Sequence, residues 1–387
     1  MDQNVKRCPK TGRIIGQAQP RTDAQNAAMA EDRAGSDSRK GAIARRTFIA
    51  GSAVAVASFS MTACGGKTLT GKPLPTPTET QRSRKKQTPS TVALVPCASY
   101  EDDPMPELKK YAKLLNLPDL AGKTVLLKPN MVEFHPGSPV TTNPFALKAA
   151  FELFDYLGAK DIIIGEGPGH MRDTEFLLEA TGLGKMCKQL GVQFVDLNLD
   201  ELEVLELKEG FSGLKQMFLP RTLMNADVVV SVPKMKTHHW VGMTASMKNF
   251  FGAVPGRKYG WPKNLLHMRG IPQCILDLQD LIKPRFALVD AVVAMEGDGP
   301  INGKAKEMGF FVLGDDLAAI DATCARTMGF DPVELDYIKI AGEVVGNISP
   351  ESVSVIGLEL DKVKKTFERP VTFKNKKLLA ESANQAS

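Results

Sequence analysis

Polar side chains that could do chemistry gather in four short segments, each directly after a short apolar run. The segments are Lys128–Asn130, Gly165–His170, Pro233–Gly252 and Asp290–Pro300. If the apolar runs are parallel strands, their carboxyl ends lie at one edge of a sheet, where ligands of such sheets bind. The functional prediction therefore depends on these segments meeting in one cleft.

Donors suited to an anion lie in the first three segments. A basic side chain beside an amide suits a carboxylate or a phosphate, and a glycine lets the backbone approach a ligand closely. We predict a substrate- or anion-binding set of Lys128, Asn130, Gly167, Lys248 and Asn249. Two alternatives stay open, a solvated lysine after a strand that proline ends and a glycine turn needed only for backbone geometry.

Acid–base groups stand beside these donors. We predict four catalytic side chains: Glu166, Lys236, His238 and Glu296. The alternative for the lysines and histidines is a surface loop. The last segment also carries carboxylates in a glycine-rich context, which suits a hard divalent cation, and the predicted metal ligands are Asp290, Glu296 and Asp298.

Short runs rich in Val, Ile and Leu alternate with amphipathic stretches along the chain. The runs predict buried strands at 91–96, 124–128, 161–165, 192–197, 227–232 and 286–290. Helices are predicted from Pro144 and at 174–182, 271–282 and 316–328. This alternation predicts an α/β fold with a largely parallel, doubly wound sheet between layers of helices.

Charge and cysteine content exclude some classes of protein. The net charge is +5, but from Thr91 onward 33 Lys/Arg stand against 38 Asp/Glu, a net charge of −5. Nucleic acid is therefore not an expected partner. The six cysteines form no C-x-x-C pair, so the chain has no iron–sulfur cluster motif, and we expect the domain cysteines to be buried thiols rather than disulfides.

The amino-terminal region reads as an export signal. Arg45 and Arg46 precede a mildly apolar run at 48–63, the twin-arginine pattern, and Cys64 follows small residues as a lipidated cysteine would. Ordinary cleavage and an uncleaved anchor are the alternatives. The expected partners are the twin-arginine translocase and, through a lipid anchor, a membrane, which predicts a location in the periplasm or on the outer cell surface.

These features divide the chain into four parts. Residues 1–64 are the predicted signal, 65–90 a flexible linker rich in Gly, Pro, Thr and Lys, 91–370 the α/β domain and 371–387 a frayed tail.

The ordered motifs of the domain resemble a prokaryotic family known as domain of unknown function 362. The likeness rests on Lys128-Pro129-Asn130, Gly165-Glu166-Gly167, Pro233–His238, Lys248-Asn249 and Met295–Pro300. The resemblance implies no settled activity. Some members carry an appended ferredoxin-like module that this chain lacks, which leaves iron–sulfur chemistry to an electron-transfer partner, while export by the twin-arginine route is a familiar subtype.

Two functions are consistent with these residues. The first is an exported enzyme that binds a small anionic substrate or cofactor, with a redox-linked version included. The second is a membrane-tethered protein that captures an anion or a metal without catalysis.

Overall fold

The computed structural model describes residues 75–169 and 173–373, so the predicted signal with Arg45, Arg46 and Cys64 lies outside the described residues. The described part has twelve strands: β1 Ser90–Pro96, β2 Thr124–Pro129, β3 Asp161–Glu166, β4 Gln193–Asp196, β5 Leu202–Glu206, β6 Gln216–Pro220, β7 Val228–Val232, β8 Lys234–His238, β9 Gly242–Thr244, β10 Phe286–Asp298, β11 Asn302–Gly314 and β12 Val353–Gly357.

Ten of these strands form one mixed sheet. Its main path runs β12-β1-β11-β10-β7-β2-β3-β4, β8 adds to β10, and β9 pairs with β8. All neighbours are parallel except β11 with its two partners and β9 with β8. β5 and β6 form a separate antiparallel pair. The mostly parallel sheet flanked by helices confirms the predicted α/β fold.

Twelve α-helices connect the strands in the described residues: α1 Glu79–Arg82, α2 Met105–Leu114, α3 Pro144–Tyr156, α4 Thr174–Thr181, α5 Leu183–Leu190, α6 Arg221–Met224, α7 Gly256–Tyr259, α8 Asn264–Arg269, α9 Ile271–Ile282, α10 Leu317–Thr327, α11 Asp336–Val344 and α12 Leu360–Val363. Three 3₁₀ turns lie at Lys248–Ala253, Pro332–Glu334 and Val371–Phe373. None of the helices in the described ranges has the length and apolar character needed to cross a bilayer.

Both faces of the sheet are buried, as the near-continuous apolar strands require. One face packs against α2 to α5 through alternate positions such as Val125 and Leu127. The other packs against α9, α10 and α11 through Leu126 and Val229. The four described cysteines are buried thiols that form no disulfide, as expected.

The described parts of the predicted linker and tail pack against the domain. Residues 75–90 are not a free linker, because Gln81 is buried and the cations of this segment pair with domain carboxylates, for example Arg84 with Asp280 at 2.7 Å. The predicted tail from 371 likewise begins with ordered structure, since Phe373 is buried in the core.

Two predicted loops are strands. Residues 234–238 form β8, and the strand predicted to end at Asp290 continues as β10 to Asp298, paired with β11 after a register shift between Ala291 and Val293. A short 3₁₀ turn at Lys248–Ala253 follows β9.

Candidate functional site

Five lysines are buried in the described residues, an unusual number for a side chain that is almost always exposed. They lie at the carboxyl ends of β2 and β7 or in the segments that follow β7: Lys128, Lys234, Lys236, Lys248 and Lys263. We call this set the lysine cluster. Its members have different partners, and the partners indicate what each can do.

Lys128 forms an ion pair with Glu166 at the ends of the neighbouring strands β2 and β3. The lysine amine also donates to the carbonyl of Pro129 at 2.8 Å and to Oδ1 of Asn249 at 3.1 Å. Burial lowers the pKa of Lys128 and raises that of Glu166, and each charge opposes the shift of its partner. A Cβ at Gly252 would lie 2.0 Å from Glu166 Oε1, so any larger residue there would have to displace this pair.

Asn249 is a positioning residue for that pair. Its amide nitrogen donates to the carbonyl of Lys128 at 2.8 Å and to the hydroxyl of Ser231 at 3.1 Å, which turns its amide oxygen toward the lysine amine. Gly167 donates its backbone N–H to the carbonyl of Gly252 at 3.0 Å. Both predicted binding residues are thus used in holding the Lys128–Glu166 pair in place.

Lys234 belongs to a second buried ion pair, with Asp290 of β10. Tyr100 completes this group, because its hydroxyl lies 2.6 Å from the lysine amine and donates to Asp290 at 2.9 Å. The backbone N–H of Asn143 also donates to Asp290 at 3.0 Å. A cavity of about 310 Å³ is lined by Tyr100 and Lys234.

Lys236 is wholly buried and donates to the carbonyl of Val140 at 2.6 Å. Burial lowers its pKa well below the ordinary value, and the positive charges of Lys248, Lys234 and Lys128 add to the shift. His238, on the same strand, accepts from the backbone N–H of Trp240 at 3.1 Å. Burial and the charge of Lys248 lower the pKa of His238 well below its ordinary value, so its imidazole is neutral.

Lys248 differs from the other four lysines. In the described part of the chain its amine makes no hydrogen bond or ion pair, and it lies 3.9 Å from the centre of the Phe251 ring. Burial, with a smaller effect of Lys128, lowers the pKa of Lys248 to about 7. Burial lowers the pKa of Lys263 to about 7 as well.

Lys263 has a structural explanation that Lys248 lacks. Its amine donates to Oδ1 of Asn198 at 2.7 Å and to the carbonyl of Val254, which joins three separate segments. Nothing in the sequence distinguished Lys263 or Tyr100 from surface residues. Lys234 lies inside the segment Pro233–Gly252, but nothing in the sequence distinguishes it from Lys236.

Asn130 lies near these groups without a clear role. It is buried, its N–H donates to the hydroxyl of Thr142 at 2.9 Å, and its side-chain oxygen has no hydrogen-bond partner among the described residues.

Glu296 and Asp298 do not join the cluster. Glu296 pairs with Lys306 at 2.7 Å on the hairpin formed by β10 and β11, and Asp298 is exposed and accepts from the N–H of Val371 at 2.8 Å. Because β10 continues past Asp290, these residues lie on the hairpin, away from Asp290. The described residues contain no group of three or more His, Cys, Asp or Glu side chains that could hold a metal ion. The predicted metal set is therefore not brought together.

Residues 125–326, just over half of the chain, match the family model of domain of unknown function 362. The chain belongs to this family. All five lysines of the cluster lie inside the matched range.

The individual relative and the solved structures described next have low sequence identity to this chain. A thylakoid-associated protein of Synechocystis sp. is 28% identical over 222 residues, which cover 55% of this chain and 65% of that protein, less than two thirds of its length. The lactate racemase apoprotein from Thermoanaerobacterium thermosaccharolyticum shares 15% identity with a TM-score of 0.35, over 60% of this chain and 56% of that one. A protein from Thermotoga maritima shares 14% identity with a TM-score of 0.34, over 57% of this chain and 58% of that one.

Proposed function

We propose that this member of the family is an enzyme that binds a small anionic substrate among the lysines at the carboxyl end of its sheet. The observation that carries the proposal is the excess of buried amines over carboxylate partners. Lys128 and Lys234 have ion-pair partners, whereas Lys236, Lys248 and Lys263 have none within the described ranges.

An unpaired ammonium is costly to bury, so such a group either loses its proton or gains an anion. The charge of Lys248 helps to lower the pKa of the buried Lys236. A carboxylate or phosphate bound between them would neutralise both and supply acceptors for their N–H groups. The cost of burying these amines without an ion-pair partner supports an anionic ligand better than it supports a purely structural role.

Groups with acid–base capacity at neutral pH surround the same place. The amine of Lys248 has a pKa of about 7, where a group can both give and accept a proton efficiently. His238 is held neutral, and because its Nδ1 accepts from Trp240, its Nε2–H can donate to an anion. Glu166 is held beside Lys128 and orients that amine. Proton transfer on the bound anion is therefore the chemistry we assign to the site.

Anion binding can be measured before the reaction is known. Metabolite anions, inorganic phosphate and sulfate would be screened by thermal shift at pH 7, and ligands that stabilise would be tested for turnover by mass spectrometry. A ligand at about 100 times its Kd stabilises by about 2.7 kcal/mol. We expect Lys236→Met to abolish the shift, and Lys304→Gln, an exposed lysine of the hairpin, to retain it.

Each outcome of this screen decides something. Binding with product formation supports the enzyme. Tight binding without any product, across all stabilising ligands, would replace it with the anion-capture protein of the sequence analysis. An unchanged shift in Lys236→Met would move the site away from the lysine cluster and overturn the proposal.

Export belongs to the same proposal. The arginine pair at 45–46 and Cys64 support delivery across the membrane by the twin-arginine translocase and attachment through a lipid. Replacing both arginines by lysine should leave the protein in the cytoplasmic fraction, and Cys64→Ser should release an exported protein that no longer takes up labelled palmitate. Unchanged fractionation of the arginine variant would contradict this.

A further inference from the structure

Lys248 is the member of the lysine cluster whose amine has no polar partner in the described residues. Lys128 and Lys234 are in ion pairs, and the other two donate to oxygens. The side chain of Lys248 is 9% exposed, so it is nearly buried, and its polar end faces the ring of Phe251. An amine held in this way keeps its lone pair available once it is neutral.

Burial and the charge of Lys128 favour the neutral amine of Lys248. The ring of Phe251 beside that amine begins a row of ring contacts, in which Trp240 lies 5.0 Å from His267 and 6.1 Å from His238. The rings of His267 and Phe251 are in edge contact at 5.7 Å. A small molecule at the amine would therefore meet apolar and imidazole rings, and the strand that carries His238 also carries the buried amine of Lys236.

We propose that Lys248 forms an imine with the carbonyl carbon of a small oxo acid whose carboxylate is bound by Lys236. This inference rests on the proposed function and names its substrate class. The amine nitrogen attacks the carbonyl carbon and forms a C–N bond, the carbonyl oxygen takes up two protons and leaves as water, and a C=N bond remains. No oxidant or reductant is needed.

The proton balance at neutral pH supports this step. Burial brings the pKa of Lys248 to about 7, so about half of its amines are neutral at pH 7. A solvated lysine with a pKa of about 10.4 has about a thousandfold less neutral amine at that pH. The attacking form is thus abundant at Lys248.

Reductive trapping tests the inference in the intact protein. The wild-type chain would be incubated with pyruvate or glyoxylate and sodium cyanoborohydride at pH 7, and the modified lysine located by peptide mass spectrometry. Lys258 is a matched internal control, because its amine lies 4.0 Å over the ring of Phe218 but is exposed to water. We expect labelling of Lys248 to exceed that of Lys258 by at least about tenfold.

A neutral carbonyl compound tests the role assigned to the carboxylate. Lys236→Met should lower oxo-acid labelling of Lys248 about tenfold or more, as loss of a charged contact to the ligand does, while labelling by acetaldehyde should persist. Labelling of Lys248 no greater than that of Lys258 would overturn the inference. If anions stabilise the protein but Lys248 is not labelled, only the imine fails; if no anion stabilises it either, the proposed function fails too.

Discussion

The buried pair of Lys128 and Glu166 provides the sharpest test of the site's energetics. Both side chains are at most 1% exposed, and their contact is at hydrogen-bond range. Two unit charges about 4 Å apart interact by about 4 kcal/mol at an effective dielectric constant of 20. Removing one partner of such a pair costs about 3–5 kcal/mol, because the other charge stays buried. We expect about 3 kcal/mol for Glu166→Gln, since Pro129 and Asn249 still accept from the lysine.

A double-mutant cycle separates this coupling from the effects of each replacement. Glu166→Gln, Lys128→Met and the double variant would be unfolded in urea and by heat. At about 2 °C per kcal/mol for a domain of this size, Glu166→Gln should melt about 6 °C lower. We expect the double variant to lose about 2 kcal/mol less than the sum of the single ones.

An exposed pair supplies the matched control for that cycle. Lys362 and Glu359 lie 2.7 Å apart but are 73% and 69% exposed, so their coupling should be at most about 0.5 kcal/mol. A coupling energy for Lys128 and Glu166 that is no larger than this would refute the reasoning, because the buried pair would then hold no effective charge interaction.

The pH dependence of the stability of Glu166→Gln tests the direction in which the pKa of Lys128 is shifted. Burial lowers the pKa of Lys128 and the carboxylate raises it, so without the carboxylate the folded-state pKa falls further below its ordinary value of 10.5. The unfolded chain then holds more protons than the folded one below pH 10.5, and stability rises with pH. The deficit of Glu166→Gln relative to wild type should therefore shrink between pH 7 and pH 9.5.

Three further outcomes follow from the geometry. Gly252→Ala should lose about 1–3 kcal/mol in urea unfolding, because its Cβ would lie 2.0 Å from a buried carboxylate oxygen, whereas Gly169→Ala, with open space around its Cβ, should be neutral. Tyr100→Phe should lose about 1–3 kcal/mol, since its hydroxyl serves both members of the second buried pair. Burial lowers the pKa of His238 well below 6.5 and that of His267 to about 4, so stability present above pH 6.5 should be lost as the pH falls toward 4, less steeply in His267→Gln.

Much of the sheet could be predicted because its strands are buried on both faces. Runs such as Val228–Val232 are apolar at all but one position, and the bounds of the six predicted strands agree with the structure to within one or two residues except for β10. The start of α3 was predicted from local chemistry alone, and Asn143 does accept from the N–H of Phe145 at 2.9 Å. Local composition determines these features, so a single sequence reveals them.

The predictions that differ from the structure have a common physical cause, which is contact between residues distant along the chain. β8 is polar in sequence, and its lysines look like loop residues until Asp290 and the carbonyl of Val140 are placed beside them. The same holds for β10, whose second half is a strand only because β11 returns alongside it. Glu296 was predicted as a site residue because it is a carboxylate in a glycine-rich segment after a predicted strand, but in the hairpin it pairs with Lys306.

The energetic cost of the lysine cluster is itself an argument for function. Lys128 and Lys234 are compensated by buried carboxylates, and the hydrogen bonds of Lys263 hold neighbouring segments together. Lys236 and Lys248 have no ion-pair partner within the described residues. Methionine at either position would fill a similar volume without the cost of desolvating a polar group. Burial opposes protonation of both amines, and the charge of Lys248 also lowers the pKa of Lys236. A bound anion would offset this cost at both amines. The anion-binding proposal therefore rests on these two side chains.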